Sequence, residues 1–280
     1  MSDPALGIDE VLRALAEDRA REDVTTRLLG DVARQPVAGR FLAEERCVVA
    51  GLPVAAIVFR ELEPEASLEP CVAEGAWADA GALVATAQGR AATLLAGERT
   101  ALNFLQHLSA IATLTRRAVE AVAGTGAVIT DTRKTTPGLR ELEKYAVRVG
   151  GGVNHRASLA DAILFKDNHW ALLGGASLKD ALTRAPNGVE VIVEVETPGQ
   201  LEQALAAGVR RILVDNQPPE LIAEWVKRAG PGVAIEASGG ITLDTVRAYA
   251  DAGAKYVSMG VLTHSAKAVG IRLETLGLQS

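Results

Sequence analysis

The stretch Val189-Glu190-Val191-Ile192-Val193-Glu194-Val195-Glu196 has a period of two. In an extended strand its valines share one face, while Glu190, Ile192, Glu194 and Glu196 share the other. Apolar runs of the same kind recur on both sides of it, at 127–130, 162–165, 211–214, 233–237 and 256–259. Helical segments such as 201–207 and 221–229 lie between them. Strands alternating with helices predict parallel strands joined by crossovers. An open doubly wound sheet and a β/α barrel both satisfy that rhythm. Nearly every run, however, ends on polar residues: Asp131-Thr132-Arg133, Lys166-Asp167, Glu194, Asp215-Asn216, Ser238-Gly239 and Met259-Gly260. A barrel collects its chemistry at the C-terminal rim of its strands, so the barrel is favoured.

Upstream the texture differs. Residues 1–29 carry apolar positions at helical spacing (Ile8, Val11, Leu12, Leu15), and from Val37 to Gly89 short β-prone runs alternate with Gly and Pro. A long amphipathic helix is expected from about Glu98, with Leu102, Leu105, Leu108 and Ile111 on one face. The fold class is therefore α/β. A small open α+β domain is expected over residues 1–112, followed by a barrel domain over 113–280.

The 280 residues carry 29 Lys plus Arg against 35 Asp plus Glu, a net charge of −6, which argues against sequence-independent nucleic-acid binding. No apolar run approaches the roughly 20 residues that span a bilayer. Cys47 and Cys71 have no metal spacing, so a reduced, cytoplasmic setting is expected.

Against this acidic background, Arg133, Lys134, Arg140, Lys144, Arg148, His155, Arg156 and Lys166 crowd between Thr132 and Asn168, as a pocket for a multiply charged anion would require. Arg140, Lys144 and Arg148 recur at i+4 and read as a solvated helix face. Lys166 ends an apolar run, where its charge would be stranded without an anion. Arg offers a planar fork for carboxylates and Lys a point charge, so both together suit a ligand carrying carboxylates and phosphates. Among the acids, Glu190 and Glu196 read as surface charges. Glu194 and Asp215 point to a barrel interior, where Mg²⁺ would offset their burial. Ser238-Gly239-Gly240 and Met259-Gly260 each join a strand to a helix and could cradle phosphate. Gly150-Gly151-Gly152 reads as a tight active-site turn, with a plain helix stop as the alternative.

Thr132-Arg133-Lys134-Thr135-Thr136, Asn154-His155-Arg156 and Lys166-Asp167-Asn168-His169 together resemble the quinolinate phosphoribosyltransferase family. So do Glu98-Arg99-Thr100, Glu194-Val195-Glu196, Val214-Asp215-Asn216, Glu236-Ala237-Ser238-Gly239-Gly240 and Ser258-Met259-Gly260. Gln217 and Phe165 depart from the pattern without touching a charged position. The resemblance implies an N-terminal open α+β sandwich domain over 1–112, with room to take up the C-terminal end of the chain, and an incomplete β/α barrel catalytic domain over 113–280, paired as head-to-tail homodimers with a hexamer of dimers as a further assembly. It also implies quinolinate and phosphoribosyl pyrophosphate as substrates, Mg²⁺ as cofactor, and nicotinate mononucleotide for NAD synthesis as product. It assigns the quinolinate carboxylates to Arg133, His155, Arg156 and Lys166, with Thr132 beside them and Arg99 reaching in from the partner subunit. Lys134, Glu194 and Asp215 would bind phosphoribosyl pyrophosphate and metal, Lys134 at the leaving group. Ser238, Gly239 and Gly240 with Met259, Gly260 and Val261 would take the 5′-phosphate. Two other readings are a molybdenum-transport relative of the same architecture, which typically lacks the full Lys-Asp-Asn-His, and a Schiff-base aldolase using Lys166.

Overall fold

The computed structural model describes residues 6–276. The described residues form two compact units: the first takes 6–116, 136–151 and 266–276, and the second takes 117–135 and 152–265. The division is thus more interleaved than a cut near residue 112. The outermost ends of the two expected ranges, 1–5 and 277–280, lie outside the described residues.

In the first unit, β1 (Pro36–Ala43) is the centre of an antiparallel sheet, flanked by β5 (Leu83–Arg90) and by the last strand, β12 (Ile271–Leu276). β3 (Ser67–Pro70) adds to the far side of β5, and β2 (Cys47–Val48) pairs separately with β4 (Trp77–Ala78). Helices α1 (Ile8–Glu17), α2 (Leu52–Leu62) and α4 (Arg140–Val149) belong here with most of α3 (Ala91–Ala121). Phe41 of β1 meets Phe59 of α2 edge to face, with ring centres 6.1 Å apart. Leu102, Leu105, Leu108 and Ile111 are all buried, as their spacing predicts. α3 begins at Ala91 rather than near Glu98. Gly97 does not break it, because a Cβ there would lie 2.9 Å from the Phe59 ring: the helix uses the missing side chain to pack closely.

α4 joins this unit through side chains. Tyr145 donates to the half-buried Glu74 (2.6 Å), His107 meets the fully buried Glu143 (2.9 Å), and Arg116 Nε donates to the Gly150 carbonyl (2.9 Å). Lys144 is only 3% exposed, so Arg140, Lys144 and Arg148 do not form a solvated face. Gly150 and Gly151 are a helix stop and not part of an active-site turn: a Cβ on Gly150 would lie 2.6 Å from the Ala112 carbonyl, and Gly151 has φ +94°.

The second unit is a sheet of β6 (Val128–Thr130), β7 (Ala162–Phe165), β8 (Glu190–Val195), β9 (Arg211–Asp215), β10 (Ala234–Ser238) and β11 (Tyr256–Ser258). Its order is β6-β11-β10-β9-β8-β7, every pairing parallel. First and last strands are neighbours, which is the cyclic order of a β/α barrel left open between β6 and β7. Helices α5 (Asp167–Leu173), α6 (Leu178–Leu182), α7 (Pro198–Ala206), α8 (Pro219–Ala229) and α9 (Val246–Asp251) connect strands from β7 onward, and α10 (Val261–His264) follows β11. Local chemistry sets their starts. Thr197 and Gln200 exchange side-chain and backbone bonds ahead of α7, whose first residue is Pro198. α8 buries Trp225 and Ile222, and α7 buries Leu201 and Ala204.

Candidate active site

Because side chains alternate along a strand, Leu213 and Asp215 of β9 and Glu236 and Ser238 of β10 face the same way. They line a pocket of about 160 Å³ with Glu194 of β8, Ser258 of β11, Lys166 after β7, and Thr132, Arg133 and Lys134 after β6. His155 and Arg156 close it. Larger hollows lie in the first unit, about 540 Å³ around Arg21 and Arg90 and about 490 Å³ around Arg99. The smaller pocket is the stronger candidate, since it gathers charged groups from five of the barrel strands and Ser258 from the sixth.

Its cations crowd one another. The Arg156 guanidinium is pushed below its ordinary value, first by burial and then by the positive charge of Arg133. Arg156 Nη1 donates to the Ala162 carbonyl (3.0 Å), which anchors the fork where β7 begins. Two guanidiniums that repel across a partly dry pocket favour an anion between them. At the opposite wall Lys166 Nζ donates to Glu194 Oε2 at 2.5 Å. The Lys166 charge is therefore not stranded, as its place after an apolar run suggested: Glu194 neutralises it. Burial pushes the Glu194 carboxyl up, Lys166 pulls it back, and the charges of Asp215 and Asp167 push it up again. Asp215 accepts from Asn216 Nδ2 (2.7 Å).

The loops are tightly specified. Fully buried Asp131 accepts from the His155 backbone N–H (2.8 Å) and from Asn154 Nδ2 (2.5 Å), so Asn154-His155-Arg156 is pinned to the end of β6. In Lys166-Asp167-Asn168-His169, His169 Nδ1 accepts from the Lys166 backbone N–H (3.0 Å) and closes the first turn of α5. Phe165 lies edge to face on Trp170, with ring centres 5.1 Å apart, and Trp170 Nε1 donates to the Glu194 carbonyl (2.8 Å). Gly239 (φ +94°) and Gly240 (φ +60°) are left-handed, and a Cβ on Gly239 would lie 2.6 Å from the Asn216 backbone nitrogen. Their turn does not open directly into a helix, since α9 begins only at Val246. Gly260 does precede α10, and a Cβ there would lie 3.2 Å from Lys134 Cδ, so Lys134 runs alongside that turn.

Thr132, Arg133, Lys134, His155, Arg156, Lys166, Glu194, Asp215 and Ser238 are thus brought together. Gly239, Gly240, Met259, Gly260 and Val261 are not among the lining residues, and Arg99 lies elsewhere, exposed on α3 in the first unit. Glu190 and Glu196 are exposed, as expected. Missing from the expected set are Glu236 and Ser258, both buried and both lining the pocket. The alternation in Ile235-Glu236-Ala237-Ser238 carries the signal for Glu236, since it places that carboxylate on the same face as Ser238.

Two family models match consecutive parts of the chain: the N-terminal domain of quinolinate phosphoribosyl transferase over residues 23–109 and its C-terminal domain over 111–274. A nicotinate-nucleotide pyrophosphorylase [carboxylating] of Mycobacterium leprae is 42% identical over 274 residues, covering 95% of this chain and 96% of that protein. The crystal structure of NadC from Streptococcus pyogenes superposes with a TM-score of 0.92 at 40% identity, covering 99% of each chain. A nicotinate-nucleotide pyrophosphorylase from Francisella tularensis gives 0.90 at 32% identity, covering 99% of this chain and 98% of the other.

Proposed function

This chain belongs to the quinolinate phosphoribosyltransferase family, and we propose that its barrel-rim pocket performs the family's carboxylating reaction in the following way. Quinolinate and phosphoribosyl pyrophosphate are converted to nicotinate mononucleotide, CO₂ and pyrophosphate in NAD biosynthesis. The observation that carries the site assignment is the pairing of two mutually repelling guanidiniums, Arg133 and Arg156, with the acids Glu194 and Asp215 in one enclosure.

Arg133 and Arg156 grip the two carboxylates of quinolinate, with Lys166 beside them, and hold the pyridine nitrogen toward the anomeric carbon. The C–N bond forms as the bond from that carbon to pyrophosphate breaks, and positive charge develops on the ribose. Glu194 and Asp215 stabilise that charge, and Lys134 meets the departing pyrophosphate. The ring nitrogen, now quaternary, withdraws electrons. The C2–carboxylate bond then breaks, CO₂ leaves, and C2 takes up a proton. Ser238 and the turn it opens, with the turn after β11, receive the 5′-phosphate.

Glu194 and Asp215 fit Mg²⁺. Both line the pocket, and two carboxylates suit an ion whose remaining positions are taken by water and phosphate oxygens. When bound, the ion would neutralise charge on the leaving pyrophosphate. Two features support a dimer with Arg99 donated across it. Arg99 is exposed in a hollow with Asn103 and His107, and the same unit exposes Val24, Leu28 and Val32. Among the described residues no helix is long and apolar enough to cross a membrane, and Cys47 and Cys71 are free thiols, which suits a reducing cytoplasm. The aldolase reading is weakened by the groups around Lys166: the cations Arg133 and Arg156 and the acids Glu194 and Asp215 suit anionic substrates and a metal, which a Schiff base does not need.

The test is to incubate the protein with quinolinate, phosphoribosyl pyrophosphate and Mg²⁺. Equal amounts of CO₂, pyrophosphate and nicotinate mononucleotide are expected. Pyrophosphate without CO₂, or no product, would overturn the assignment.

A further inference from the structure

Beneath the pocket lies a group of charges that the reaction described above does not use. Glu236 is 0% exposed. Its Oε2 accepts from Arg211 Nε at 2.7 Å, and Arg211 also pairs with Glu190 (3.1 Å) and lies over the Tyr256 ring, 4.0 Å from its centre. Its Oε1 accepts a very short bond from Ser258 Oγ. That serine oxygen is 2.6 Å from Thr130 Oγ1. Because Ser258 spends its proton on Glu236, the chain has one polarity: Thr130 donates to Ser258, and Ser258 donates to Glu236.

The same Oε1 lies 3.5 Å from His155 Nε2. The other ring nitrogen is committed, since His155 Nδ1 receives the Arg156 backbone N–H at 2.8 Å. A backbone N–H can only donate, so Nδ1 must present its lone pair, and the ring is neutral with its proton on Nε2. Nε2 and its proton lie beside Glu236 Oε1 in an electrostatic contact, not a hydrogen bond. Burial pushes the Glu236 carboxyl up, and the Arg211 guanidinium and the Ser258 hydroxyl act against it in favour of the carboxylate.

We propose that Glu236 is a positioning residue for the quinolinate end of the site: supported by Arg211 and Ser258, it holds His155 as the neutral Nε2–H tautomer and so sets the ring and the adjoining Arg156. His155 then contributes orientation and shape, and the charge that meets quinolinate comes from Arg133, Arg156 and Lys166. This departs from the expectation that His155 is one of the binding cations. The proposal deepens the phosphoribosyltransferase reading and rests on it for the identity of the ligand.

Two measurements test it. The chain has only four histidines, so imidazole ¹⁵N spectra of histidine-labelled protein can be assigned by substitution. At neutral pH the His155 ring should be neutral and entirely Nε2–H. An imidazolium or an Nδ1–H ring in the wild-type protein would overturn the proposal without any assay of activity. In steady-state kinetics, Glu236→Gln should raise KM for quinolinate by about tenfold while KM for phosphoribosyl pyrophosphate moves less than about threefold. Equal rises in both KM values, or no rise in either, would mean that Glu236 is only structural. Should Glu236→Gln fold poorly, Ser258→Ala removes one donor from the same carboxylate and is read by the same split. If the wild-type protein makes no nicotinate mononucleotide, the functional reading fails while the tautomer result still stands or falls separately.

Discussion

At the scale of single residues the pocket is a balance of like charges held apart by protein contacts. Arg133 and Arg156 destabilise each other, and Lys166 is balanced by Glu194. Glu194 makes this balance visible as pH dependence. Its folded-state carboxyl is raised above the ordinary 4.5, chiefly by burial, so the folded protein keeps that proton to higher pH than the unfolded chain. The unfolded state then binds fewer protons in that window, so the Glu194 contribution to stability falls as pH rises from 4.5 through the folded value. The ionised carboxylate needed to hold Mg²⁺ forms across the same window. The acid limb of kcat/KM should therefore lie above the usual carboxyl range, and Glu194→Gln should remove it along with most of the activity. Superimposable pH–rate profiles for the two proteins would refute this role.

At the scale of elements, the turn after β10 is the most exacting piece of backbone near the site. Gly239 has a positive φ and lies against Asn216, itself left-handed at φ +53°. Gly239→Ala would force both a strained backbone and a clash, and should lower stability by about 1–3 kcal/mol. It should also weaken phosphoribosyl pyrophosphate binding more than quinolinate binding. A variant with wild-type Tm and an unchanged KM for phosphoribosyl pyrophosphate would show that the turn tolerates a side chain. The strands and their polar ends are legible in the sequence, because alternation in 189–196 and 233–237 makes a strand's facing explicit. Less legible is what depends on packing between distant segments. Nothing near Lys144 announces that it is buried, and nothing near Lys166 names Glu194 as its partner. Nor does anything near Gly97 show that the Phe59 ring packs where a side chain would lie.

At the scale of the whole molecule, the interleaving of the units follows from contacts that no local pattern encodes: Tyr145 with Glu74, and Gly150 against α3. The proposed dimer makes a distinct prediction at this scale. If Arg99 completes the partner's site, Arg99→Ala and Lys166→Ala should each be nearly inactive alone. Mixed and allowed to exchange subunits, they should regain about a quarter of wild-type activity, since half the dimers become hybrids with one intact site. No recovery in a mixture shown to contain hybrids would place Arg99 outside the partner's site.

The pocket's grip on a dicarboxylate is read most directly by calorimetric titration of quinolinate into the wild-type protein, Arg133→Ala and Arg156→Ala at constant ionic strength. Removing either guanidinium should cost about 2–5 kcal/mol, so the affinity should fall by at least about thirtyfold in each variant while the fold is retained. Affinities within about threefold of wild type in both variants would contradict the assignment of this pocket to quinolinate.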